Sequence, residues 1–167
     1  DLKKYIKKYK NLNKPIKEFK IKKYLYQMCN GIYYLHENKI IHRDLKASNI
    51  FITGKDKIKL GDLGIIKVLN PRSSYAYTNI GTPYYMSPEL YNNKKYSFKT
   101  DIWSLGVILY ELMTLRLPYN ADNMNQLKQK IVYGKWYMNP NCRKLYSDEL
   151  YDLLQHILQS INSIINL

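Results

Sequence analysis

Apolar residues recur along this 167-residue chain with two different periods. Leu2, Tyr5, Ile6, Tyr9 and Leu12 fall at helical spacing and predict a short amphipathic helix ended by Pro15. Phe19, Leu25, Met28, Ile32 and Leu35 carry the same period into a second, longer helix leading to His36. The pattern then shortens. Ile50-Phe51-Ile52 and Ile58-Lys59-Leu60 are β-prone runs, and Thr53-Gly54-Lys55-Asp56-Lys57 between them reads as a hairpin turn. Gly81 to Glu89, with two prolines, a glycine and no period, is expected to be a fixed loop rather than a helix or strand. Thr100 to Met113 is apolar around nearly its whole circumference, so a helix there must be buried. Asp101 and Glu111 interrupt it, and it is too short to span a bilayer. Met124, Leu127 and Ile131 mark a further helix closed by Gly134. Ser147 is placed to cap the next, with Asp148 and Glu149 at its positive end and Leu150, Leu153, Leu154, Ile157, Leu158 and Ile161 on its inward stripe. Ile164 and Ile165 then make Ser160 to Leu167 either a last helix or an exposed apolar terminus.

The chemistry-bearing residues cluster before and after the hairpin. His42-Arg43-Asp44-Leu45-Lys46-Ala47-Ser48-Asn49, followed by Gly61-Asp62-Leu63-Gly64, contains the inventory that phosphoryl transfer requires. A hydroxyl attacking a γ-phosphate needs a carboxylate to orient it and take its proton, and Asp44 is placed for that. Lys46, two residues on, would present its ammonium to the same phosphate, while Asn49 and Asp62 offer hard oxygens to Mg²⁺. Each motif alone also reads as a turn or a solvated charge. Their separation by one hairpin is what joins them, because it carries Asn49 at one end and Asp62 at the other.

These blocks, in this order, resemble the large, C-terminal lobe of eukaryotic protein kinases. The match covers roughly residues 1 to 158: residues 42–49 resemble the catalytic loop, Asp62-Leu63-Gly64 the magnesium-binding triplet that opens an activation segment over 62–89, and Asp101, Trp103 and Gly106 a central helix over about 101–113. Lys46 with Gly81-Thr82-Pro83 is similar to the serine/threonine-specific enzymes. Lys59 to Ile65, Thr78 to Leu90, Tyr110 to Leu115 and Tyr146 to Leu150 are similar to the NIMA-related kinases. The resemblance implies a mainly α, α+β kinase fold with a helical core and short β-hairpins. It also implies ATP and Mg²⁺ as cofactors, Asp44 and Lys46 as catalytic groups, Asn49 and Asp62 on the metal, and Ser/Thr-containing protein substrates. Arg43 resembles the arginine that reads a phosphate on the activation segment, with Thr78 favoured as acceptor over Ser73, Ser74 and Thr82. An unmodified hydroxyl at Thr78 is the bland alternative. Thr82 would hydrogen-bond towards Asp44 and Lys46, and an activating kinase or self-association would supply the phosphate.

Three departures from the pattern stand out: Leu63 replaces a frequent Phe, Ala47 a frequent Pro, and the arginine expected to pair with Glu89 falls near Ile165 in a chain with no arginine after Arg143. The seven glycines form no Gly-x-Gly-x-x-Gly loop, and no strand lysine of Val-Ala-Ile-Lys type precedes the catalytic loop. The chain is therefore expected to be a partial kinase domain over 1–167 whose N-terminal lobe is absent. A catalytically inactive lobe acting as a protein-interaction module stays open beside the enzymatic reading.

Composition alters this little. A chain of this length can bury close to 70% of its unfolded surface, so Cys29 and Cys142 need not be paired, and a reducing compartment is expected. His36, His42 and His156 show no metal-ligand spacing; His42 is expected to brace the catalytic loop and the other two to pack or face solvent. No signal peptide, transmembrane run or lipidation motif is seen, so a cytoplasmic or nuclear location without membrane contact is expected. The net charge is +14, and ten lysines fall in the first 23 residues. They invite a nucleic-acid reading, but Tyr5 and Tyr9 follow the core stripe, so a solvated lysine face is preferred.

Overall fold

The computed structural model describes residues 1–62, 67–68, 84–92 and 97–159. Helix α1 spans Leu2–Asn11 and α2 Glu18–Glu37. Strand β1, Ile40–Ile41, leads through a 3₁₀ turn at Ala47–Asn49 into β2, Ile50–Ile52, and β3, Ile58–Leu60. Strand β4 is Lys67–Val68. Then follow α3 Pro88–Tyr91, α4 Phe98–Thr114, α5 Met124–Tyr133, α6 Pro140–Arg143 and α7 Asp148–Ile157.

The hairpin forms in the expected register, Ile50 opposite Leu60, Phe51 opposite Lys59 and Ile52 opposite Ile58. A second antiparallel pair sets Ile40 against Val68 and Ile41 against Lys67. The strand entering residues 42–49 is therefore tied to the strand that follows Asp62, so two short ladders bracket the region carrying the candidate chemistry.

The core is organised around α4. Val107, Ile108, Leu109 and Leu112 are fully buried, and α2 packs along one side of the helix while α7 packs on another. Gly106 makes the second contact close: a β-carbon there would lie 2.3 Å from Cγ2 of Ile157. Ser97 caps α4 in a reciprocal box with Thr100, and Asn123 and Ser147 cap α5 and α7.

Three details depart from the sequence expectations. The first helix stops at Asn11, before Pro15, because Asn13 turns left-handed (φ 48°) and closes the end. Leu12, Phe19, Met124 and Leu153, all assigned to inward stripes, are exposed; each sits at an element's end or at the edge of its apolar arc, where the period alone does not choose a side. The loop expected over 81–89 becomes helical at Pro88, which occupies the first turn of α3, where a missing N–H costs nothing. Residues 160–167, with Ile161, Ile164 and Ile165, lie outside the described residues, as do Leu63 and Gly64. Cys29 and Cys142 are free thiols.

Helices α2 and α7 are joined through one carboxylate. Glu18 accepts from the Ser147 amide at 2.7 Å and hydroxyl at 2.6 Å, and pairs with Lys22 at 2.5 Å. Lys22, then Ser147, hold the Glu18 carboxyl at about 2 against an ordinary 4.5. A depressed carboxyl contributes stability that is fully present above pH 4.5 and drains away as pH falls towards 2. Glu18→Gln is therefore expected to lower the urea midpoint at neutral pH and to flatten its fall between those two values. An acid limb as steep as the parent's would show that this junction does not set it.

Candidate active site

Asp101 supplies the frame. It lies in the first turn of α4, is 1% exposed, and spends both carboxylate oxygens on the segment ahead of Asp44. Oδ2 accepts from the His42 amide at 2.9 Å and from Nε2 of His36 at 2.8 Å, and Oδ1 accepts from the Arg43 amide at 3.0 Å. His42 is as buried, and its Nε2 meets the Gly61 carbonyl at 3.2 Å, so it braces the catalytic segment against the end of β3 as expected. His36, expected only to pack or face solvent, instead ties the end of α2 to Asp101. Arg43 is left-handed, at φ 71°, which costs a non-glycine residue about 1–3 kcal/mol and holds only where neighbours enforce it.

With that turn fixed, three of the sequence-predicted side chains converge. Oδ2 of Asp44 accepts from Nζ of Lys46 at 2.7 Å and from Nδ2 of Asn49 at 2.9 Å, and Nδ2 also donates to the Asp44 carbonyl at 3.0 Å. Asp44 and Lys46 are partly open to solvent, at 32% and 28% side-chain exposure, so a ligand can reach them. Asn49 is buried, its nitrogen held by Asp44, and its carbonyl accepts from the Gly61 amide at 2.8 Å. Asp62 follows directly, exposed and left-handed at φ 56°. The hairpin thus brings Asn49 and the approach to Asp62 face to face.

Asp62, and Oδ1 of Asn49 once its nitrogen is engaged by Asp44, are the oxygens that could hold a metal here. This fits Mg²⁺, which takes one or two protein oxygens and completes its shell with waters and phosphates. Among the described residues no three His, Cys, Asp or Glu side chains gather as a metal cluster, and no helix is long and apolar enough to cross a membrane.

The segment 84–89 is held on α4 by its few polar residues. Ser104 donates to the Tyr85 carbonyl at 2.9 Å, the Tyr85 hydroxyl donates to Oε2 of Glu111 at 2.6 Å, and Thr100 donates to Oε1 of Glu89 at 3.2 Å. Burial raises the pKa of both Tyr85 and Glu111, while the Tyr85 hydroxyl, by donating to the Glu111 carboxylate, partly opposes the rise at Glu111. Glu89, for which an arginine partner is expected near Ile165, outside the described residues, accepts from the Thr100 hydroxyl. Thr78 and Thr82 lie outside the described residues, with Ser73 and Ser74. The sequence reading missed His36, Tyr85 and Glu111; the signal available was a carboxylate set in an otherwise apolar helix, which must find donors once buried.

A protein kinase domain model matches residues 1–163. The serine/threonine-protein kinase Nek4 of Mus musculus is 46% identical over 141 residues, which take in 84% of this chain and 17% of that protein. The probable serine/threonine-protein kinase nek3 of Dictyostelium discoideum is 44% identical over 173 aligned positions, 97% of this chain and 15% of that protein. The serine/threonine-protein kinase Nek2 of Homo sapiens is 47% identical over 119 residues, 71% and 26% respectively. The chain spans between 15% and 26% of the length of these three relatives.

Replacing Asp101 by alanine strands the amides of His42 and Arg43. At about 1–3 kcal/mol for each buried donor left unpaired, Asp101→Ala should cost roughly 2–6 kcal/mol in denaturant unfolding. His36→Ala, which removes one of the three donors, should cost less. A midpoint unchanged in Asp101→Ala would mean the turn holds without it.

Proposed function

We propose that this chain, which belongs to the protein kinase family and within it to the NIMA-related serine/threonine kinases, supplies the phosphate-handling half of a kinase site that moves the γ-phosphate of Mg-ATP onto protein serine and threonine. The observation that carries the reading is the convergence of Lys46 and Asn49 on one oxygen of Asp44. Two donors on Oδ2 fix the carboxylate's plane and leave Oδ1 to receive a substrate hydroxyl and its proton.

Lys46 is the cation nearest that acceptor, so its ammonium is available to the transferred phosphoryl group. Asn49 and Asp62 hold Mg²⁺, which when bound neutralises phosphate charge and aligns the nucleotide tail. Asn49 has a double duty, because the nitrogen that orients Asp44 fixes the direction of its amide oxygen.

Arg43 and Thr78 make up the control element. Arg43 has its backbone clamped by Asp101 and follows His42 directly, so a phosphate on Thr78 that paired with its guanidinium would be referred to the catalytic turn. Thr82, which follows Gly81 in the motif shared with serine/threonine-specific enzymes, would hydrogen-bond towards Asp44 and Lys46. Protein substrates and an activating kinase are the partners, in the cytoplasm or nucleus.

Two measurements on the full-length protein test this. Asp44→Asn should lower kcat for peptide phosphorylation by about 10²–10⁴-fold, the contribution of a positioned base, with ATP affinity retained; a normal rate would sink the assignment and leave an interaction module. Thr78→Ala should abolish activation, and mass spectrometry should find phosphate at Thr78 in the active protein; full activity in Thr78→Ala would remove the control element.

A further inference from the structure

Helix α2 turns one line of side chains towards the hairpin. Lys20, then Lys23 and Tyr24, then Gln27 and then Gly31 lie three or four residues on from one another, so they share a helix face. The hairpin answers with Asp56, Ile58 and Leu60, alternate residues from its turn to its base. Nζ of Lys20 and Nζ of Lys23 each donate to Oδ2 of Asp56 at 2.7 Å, and the Tyr24 hydroxyl donates to Oδ1 at 2.5 Å. Oε1 of Gln27 accepts from the Ile58 amide at 3.0 Å. At Gly31 the contact is so close that a β-carbon would lie 2.8 Å from Cδ1 of Leu60.

This clasp reaches the metal ligands through the strand. Asp56 lies in the turn with a left-handed backbone (φ 59°), and its amide donates to the Thr53 carbonyl at 2.9 Å. Six residues on, by way of β3, comes Asp62, at most about 20 Å away at about 3.3 Å per residue. At its base Leu60 pairs with Ile50, and the Gly61 amide bonds the carbonyl of Asn49. A two-stranded hairpin of three-residue strands has little stiffness of its own. Its tilt on the lobe, and with it where Asn49 and Asp62 present their oxygens, depends on what holds it from outside. Lys20, then Lys23 and Tyr24, hold the Asp56 carboxyl far below the ordinary carboxylate range.

We infer that Asp56 is a positioning residue for the magnesium site: by fastening the hairpin turn to Lys20, Lys23 and Tyr24 of α2, it fixes where Asn49 and Asp62 present their oxygens. The inference rests on the reading of those two residues as Mg²⁺ ligands. A partly exposed ion pair adds little to global stability, while Gln27 and the packing at Gly31 remain, so Asp56→Ala keeps the fold and loosens the strand that ends at Asp62.

The test uses the full-length protein. Initial rates are followed against free Mg²⁺ at saturating ATP, and backbone hydrogen exchange is followed over residues 56–62. Asp56→Ala should raise the half-saturating Mg²⁺ by three- to tenfold with KM for the protein substrate unchanged, and should speed exchange of the Ile58 to Gly61 amides while α4 stays protected. Asp56→Asn, which keeps an acceptor for Tyr24, should fall between. An unchanged Mg²⁺ requirement with a lowered thermal midpoint would make the clasp merely structural and overturn the inference. Should Asp56→Ala fail to fold, the double variant Lys20→Ala/Lys23→Ala must show the same shift in Mg²⁺ and exchange, or the inference falls. Asp62→Asn separates the two claims: if it leaves the Mg²⁺ requirement untouched, the ligand assignment itself is wrong, whereas a shift there and none in Asp56→Ala refutes only the positioning role.

Discussion

A single buried carboxylate constrains the whole of the candidate site. Asp101 stands in the first turn of a helix that is otherwise the apolar axis of the core, and an isolated charge there would be very costly. Its three donors remove that cost, and two of them are consecutive backbone amides, at His42 and Arg43. Amide groups are aimed by φ and ψ, so satisfying Asp101 dictates the backbone of the turn before Asp44. The left-handed geometry of Arg43 follows from this demand. Core formation and site formation are therefore one event: α4 cannot be comfortably buried unless the segment carrying Asp44 has the right shape.

The same division of labour runs along the helix. Thr100, Ser104 and Glu111 are further polar residues of α4, and each binds a different atom of the segment 84–89. Tyr85 is the hinge of that attachment, with its carbonyl on Ser104 and its hydroxyl on Glu111. The helix thus presents apolar surface for stability and spends each polar residue on a loop. Loops held in this way keep the positional accuracy of the core although they lie at its surface.

What the sequence made legible was the part governed by short-range periods. The strands 50–52 and 58–60, the buried helix after Ser97 and the Ser147 cap all rest on patterns within a few residues, and the convergence of Asp44, Lys46 and Asn49 lies within six. The pairings that a period cannot reveal span much longer separations, such as His36 with Asp101 and Tyr24 with Asp56, 65 and 32 residues apart. Left-handed backbone at Arg43 and Asp62 was equally hidden, because the usual warning is a glycine and neither position has one. Gly106 shows the converse: its place in a motif was readable, but its physical reason, the approach of Ile157, appears only when α7 is packed.

Charge balance explains why so many of these junctions are acidic. The chain has 27 lysines and arginines against 13 aspartates and glutamates, so cations are everywhere and carboxylates are the scarce partner. A lysine lost from such a surface is replaced by a neighbour, whereas a carboxylate that gathers two or three donors has no substitute nearby. Asp101 gathers the turn before Asp44, Asp56 the hairpin, Glu18 the start of α7 and Asp44 the pair Lys46 and Asn49. Lys20, Lys22 and Lys23, which in the sequence seemed part of a uniform basic face, are in fact divided between Asp56 and Glu18. In a basic protein of this kind the informative residues are the rare charges, and the donors assembled around each one mark where two parts of the lobe are fastened together.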